Sequence, residues 1–112
     1  MHWVKRIGKY NNRRTRYGGR IYDSVLEGSY AQELDLRKKA GDIKDWKAQV
    51  QFEMRVNGML ICRYKVDFVV YHNDGSKEAV ETKGVWTPAG RIKFKLMEAL
   101  YGDEYKLTIV RR

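Results

Sequence analysis

The 112-residue chain carries one cysteine, one proline and two histidines, and no acidic residue precedes Asp23. Each scarcity excludes something. A lone Cys62 closes no internal disulfide, and with His2 and His72 beside it a structural zinc site is short of ligands. A buried apolar thiol is the simpler role for Cys62. The longest apolar stretches, around Met59 to Cys62 and Phe68 to Tyr71, fall far short of a membrane span, and no apolar segment of leader type follows the early basic residues. With a single proline and 43% hydrophobic residues, the composition excludes a wholly disordered chain. The expectation is one soluble, cytoplasmic domain with a single core, the size of chain and core matching at 13.3 kDa.

The missing acids near the start matter most, because they concentrate the net charge of +9. Lys5, Arg6, Lys9, Arg13, Arg14, Arg16 and Arg20 stand before Asp23 with Trp3, Tyr10, Tyr17 and Tyr22 among them, while the remaining sequence is close to neutral. Residues 1–22 therefore read as a basic arm ahead of a domain at 23–112. Guanidinium forks match phosphate oxygens and rings can lie on sugars or bases, so the arm points to nucleic acid. A solvated tail that keeps the protein soluble is the plainer alternative.

From Ser24 the periodicity changes. Leu26, Tyr30 and Leu34 recur every four residues, with Lys38 and Lys39 before Gly41, which predicts an amphipathic helix. Next, "QVQFEMRV" and "MLICRYKV" flank Asn57-Gly58, whose residues tolerate the positive φ of a tight hairpin turn. The second run continues as "DFVVY", turns at residues 72–76 and returns as "KEAVETKG". Pro88 suits a first helical turn, and Ile92, Leu96, Met97 and Leu100 give a second helix over 88–101. "EYKLTIV" supplies a last strand. The order is αβββαβ, and the helix between the third and fourth strands allows these two to lie parallel.

In this frame Asp67 opens an apolar run, where a carboxylate needs a cation or hydrogen-bond donors. Glu81 and Lys83 share a face of the next strand because side chains alternate. If those strands pair around the turn, Asp67 and Glu81 face each other, and a divalent metal would relieve their repulsion. Plainer readings stand beside this one. Asp67 could pair with Lys65 or Arg63, Glu81 and Lys83 could be an exposed ion pair, and Glu27 completes a capping box with Ser24.

Helix, three strands with Asp on the second and Glu-x-Lys on the third, then helix and strand, resembles the PD-(D/E)XK nuclease superfamily. The segments "YDSVLEGSYAQELDLRKKAGDIKDWKAQVQF", "YKVDFVVY" and "VETKG", before a lysine-containing helix, resemble phage-encoded endonucleases of the Holliday-junction-resolvase kind over about residues 20 to 110. Val66 stands where such proteins often have proline. The resemblance implies a restriction-endonuclease-like α/β fold, with a mixed central sheet flanked by helices. It implies Asp67 and Glu81 as ligands for Mg²⁺ or Mn²⁺, with the Thr82 carbonyl and Glu27 completing the shell. Lys83 would be the catalytic lysine, Gln49 would position water or phosphate, and Lys93 and Lys95 would hold the DNA backbone. Expected partners are branched DNA and, for paired nicks, a second copy of the chain in a C2 dimer; the compartment would be a bacterial host's cytoplasm. A nicking or flap endonuclease, a non-catalytic nucleic-acid-binding module and a phage assembly protein are the alternatives.

Overall fold

The computed structural model describes residues 14–82 and 86–111. A short hairpin of β1 (Thr15–Tyr17) and β2 (Arg20–Tyr22) leads into α1 (Val25–Lys39). Then follow β3 (Asp45–Val56), β4 (Met59–Tyr71), β5 (Lys77–Thr82), α2 (Pro88–Tyr101) and β6 (Tyr105–Val110). From α1 onward this is the expected αβββαβ order. Residues 15–22, the end of the predicted arm, are a folded hairpin whose Tyr22 is buried in the core. No described helix is long and apolar enough to cross a membrane.

Local chemistry sets the element ends. The Ser24 hydroxyl accepts the Glu27 N–H at 3.0 Å and starts α1, and Gly41 at φ +82° lies just past its end. Arg37, Lys38 and Lys39 occupy the last turn, where cations suit the helix dipole. Thr87 caps α2 through the Gly90 N–H, with Pro88 opening the helix. Asn57 and Gly58, at φ +53° and +81°, make the two-residue turn of the β3–β4 hairpin.

The four main strands form one mixed sheet in the order β3-β4-β5-β6. The first two pairings are antiparallel, and β5 and β6 run parallel across the α2 connection. Helix α1 covers one face with Ala31 and Leu34 against Phe68, Val70 and Val80. On the other face α2 sets Met97 in a cluster with Phe52, Met54, Tyr64, Val66, Val69 and Ala79.

Those two clusters reveal a slip in the sheet. Along a regular strand, residues two apart share a face. Yet Val66 belongs to the α2 side and Phe68 to the α1 side, while Val69 returns to the α2 side. Strand β3 does the same: Trp46 and Ala48 pack toward α1, whereas Val50, Phe52 and Met54 pack toward α2. The two strands change face together, at Gln49 and Asp67. Gln49 has φ +58°, a left-handed conformation unusual for a residue with a side chain, and this supplies the turn of the chain that moves its neighbours across.

Candidate active site

The face change coincides with the place where the strands stop exchanging ordinary ladder bonds. Strand β4 pairs with β5 from Tyr71 opposite Lys77 to Phe68 opposite Val80. One step further in the same register, Asp67 faces Glu81. There side chains take over from the backbone: the Asp67 N–H donates to Glu81 Oε1 at 3.1 Å, and the Thr82 N–H and hydroxyl both donate to Asp67 Oδ2 at 2.8 Å. The two carboxylates thus clamp each other's strands. Backbone donors that would otherwise be orphaned by the parting of the ladder are satisfied by charged acceptors, which make stronger bonds than neutral ones.

On the other side of β4, Gln49 faces Asp67, between Ala48 opposite Phe68 and Val50 opposite Val66. Its side-chain amide donates to Glu27 Oε2 on α1. Glu27 stands in the first turn of α1 yet is buried, as is Glu81, which is only 2% exposed. Two acids therefore meet across one row of the sheet, and Gln49, which occupies the same row on β3, holds a third on α1. Tyr64, buried on the α2 side, lies against the acids; burial first and the Glu81 carboxylate second push its phenol pKa well up, so it remains a neutral hydroxyl. Among the described residues, no group of three His, Cys, Asp or Glu is close enough to hold a metal ion by itself. Any metal held here would take its donors from carboxylates and backbone or amide oxygens, the hard-oxygen set that suits Mg²⁺ or Mn²⁺.

A family model described as "Protein of unknown function (DUF1064)" matches residues 7–112. The chain belongs to the DUF1064 family. No curated protein matches it.

The DUF1064 match spans the whole row of Glu27, Gln49, Asp67, Glu81 and Thr82, so the site lies inside the family domain. The basic residues expected to meet DNA are spread around this site. Arg14, Arg16 and Arg20 are exposed on or beside the β1–β2 hairpin, which docks on α1 through Thr15 against Gly28. Lys93 and Lys95 ride on α2, the helix covering the opposite sheet face; Lys93 is half-buried and Lys95 is exposed, 3.9 Å from Glu98. Lys5, Arg6, Lys9, Arg13 and Lys83 lie outside the described residues.

Sequence reasoning placed Thr82 in the site through its carbonyl but did not foresee that its hydroxyl and N–H bind Asp67, and it missed Tyr64 altogether. Tyr64 alternates with Val66 as an ordinary core residue, and nothing in its spacing marks its hydroxyl.

Proposed function

We propose that this DUF1064 chain is a metal-dependent DNA endonuclease of the PD-(D/E)XK type, cleaving phosphodiesters in branched DNA and the Holliday junction first. One observation carries the reading: Asp67 and Glu81 clamp each other's strands where the strands part and the sheet changes face, and Gln49 at the same row bonds the buried Glu27 of α1. Asp67 and Glu81, with Glu27 and the Thr82 carbonyl, would hold Mg²⁺ or Mn²⁺. When bound, such a metal stabilises charge on a phosphoryl oxygen and makes water a better nucleophile. The chain's residues do the positioning. Thr82 fixes one Asp67 oxygen with two donors, and Gln49 fixes the Glu27 carboxylate. Lys83, next in sequence, supplies the ammonium that orients or helps deprotonate the attacking water. Arginines of the hairpin and the preceding segment, with Lys93 and Lys95, neutralise backbone phosphates, so affinity falls steeply with salt. Symmetric nicks in a four-way junction call for two such sites in a C2 dimer.

The test is cleavage of labelled four-way junction, fork, nicked and linear duplex in Mg²⁺ or EDTA, with Asp67→Asn and Lys83→Ala beside the unaltered chain. Paired nicks in the junction, abolished by EDTA and reduced at least about 100-fold in both variants, are the expected result. A non-catalytic nucleic-acid-binding module is the second reading, favoured by the lack of a three-ligand metal cluster among the described residues. It predicts a gel shift, intact DNA in Mg²⁺ and variants indistinguishable from the parent.

A further inference from the structure

On the α1 side of the sheet, reaching along β3 to Ala48, lies a cavity of about 450 Å³ that the cleavage chemistry does not use. The hairpin supplies Tyr17, Arg20 and Tyr22 to its wall, β3 supplies Trp46 and Lys47, and α1 supplies Asp35. Its volume falls in the range of small-molecule sites. Two of the rings are held in place. The Tyr17 hydroxyl donates to Asp35 Oδ2 at 2.9 Å, and Trp46 packs edge-on against the buried Phe68, with ring centroids 5.8 Å apart. Both remain partly exposed, so each offers π surface to a ligand, and Arg20 places a cation at the same opening, whereas the Lys47 ammonium lies on the other face over the Tyr71 ring. Fixed aromatic surface with a guanidinium beside it is what an unpaired nucleotide requires: the rings accept the base and the cation accepts its phosphate.

The position adds to the chemistry. Trp46 lies three residues along β3 from Gln49, roughly 10 Å at strand rise, which is about three stacked nucleotide steps. A strand whose phosphate lay at Glu27, Asp67 and Glu81 could therefore deliver a nearby base to the cavity. Such bases are unstacked at branch points and ends, and a continuous duplex does not present them.

We infer that the cavity between the β1–β2 hairpin and β3 is a binding site for an unpaired nucleobase, stacked on Tyr17 and Trp46 with its phosphate on Arg20. This rests on nucleic acid being the partner and does not depend on cleavage.

The experiment compares, in EDTA, binding of the full chain to an oligothymidylate and to an abasic deoxyribose-phosphate oligomer of equal length and charge. The base-bearing strand should bind about tenfold or more tightly and quench tryptophan fluorescence, since each base–aromatic stack contributes on that scale. Tyr17→Leu should erase most of this preference, whereas Tyr17→Phe, which keeps the ring, should retain it. Trp46→Phe should keep the preference and lose much of the quenching. Equal affinity for the two oligomers overturns the inference, as does a folded Tyr17→Leu chain that still discriminates. The two proposals separate cleanly. Base preference without cleavage in Mg²⁺ defeats the nuclease and leaves the cavity site, and cleavage without base preference does the reverse.

Discussion

Exchanging glycine and alanine at position 49 should reverse their usual order in a strand. In an ordinary strand interior glycine is less stable than alanine by about 0.5–1 kcal/mol, because it loses more backbone freedom on folding. Gln49, however, sits at φ +58° in β3, where a residue with a Cβ is strained by about 1–2 kcal/mol and glycine is not. The difference favours Gln49→Gly over Gln49→Ala by about 0.5–1 kcal/mol, or about 3–5 °C in Tm for a domain of this size. Both variants also lose the amide bond to the buried Glu27 carboxylate, so both should fall below the parent by roughly 1–3 kcal/mol. Urea unfolding of the three proteins in EDTA measures the order directly. Alanine equal to or above glycine would refute the reasoning, because Gln49 would then be an ordinary strand residue and the face change of the sheet would have another origin. If the order is reversed as expected, the strain is held at the candidate site by the packing around it.

Other variants probe the surroundings of the site. A methyl group added at Gly28 would lie 2.7 Å from Thr15 Cγ2, so Gly28→Ala should forgo the gain of about 1 kcal/mol usual inside a helix and loosen the docked hairpin. Faster amide exchange confined to β1 and β2 would report it, and a full stability gain with unchanged exchange would count against the contact. Burial raises the Glu78 carboxyl pKa, but hydrogen bonds from Thr108 and His72 outweigh it and hold the group below its ordinary 4.5. A carboxyl with a lowered folded pKa stabilises above its unfolded value and loses that contribution as pH falls through the folded one. Glu78→Gln should therefore be destabilised at neutral pH and approach the parent under strong acid; a gap independent of pH would contradict this.

Where the sequence was legible, the cause of structure was local. Asn57-Gly58 names its own turn, Ser24 and Gly41 bracket α1, and Pro88 opens α2, because in each case the signal is the backbone preference of a residue or two. The pairing of Asp67 with Glu81 also followed, since a short turn fixes register. The slip at Gln49 and Asp67 had no such signal. Trp46, Ala48, Val50, Phe52 and Met54 alternate without a break, as do Tyr64, Val66, Phe68 and Val70, so each set reads as one stripe on one face. In the fold each stripe is divided between two helices, and both faces are apolar enough to hide the division. Tyr22 was misleading for a related reason. It follows seven basic residues and so reads with the arm, yet it is buried against Phe68 with ring centroids 6.0 Å apart.

The division of those stripes bears on what Asp67 is for. A carboxylate whose only task is to close the gap left by the parting strands needs its Thr82 donors for stability alone, whereas one that also holds a metal needs them to aim its oxygens. Thr82→Val and Thr82→Ser separate these roles. Valine keeps the backbone N–H and the branched shape but deletes the hydroxyl bonded to Asp67 Oδ2, while serine retains the hydroxyl. Removing a bond to a charged acceptor should cost valine about 1.5–3 kcal/mol in EDTA, with serine closer to the parent. If Asp67 is a ligand, the valine variant should also bind Mn²⁺ about 10–100-fold more weakly, as loss of a group that orients a ligand does elsewhere. Titration of Mn²⁺ into the folded proteins, followed by its paramagnetic resonance signal, gives that number without DNA or turnover. A valine variant that loses stability yet binds Mn²⁺ as the parent does would make Asp67 a strand clamp, and the case for cleavage at this row would lose its central ligand.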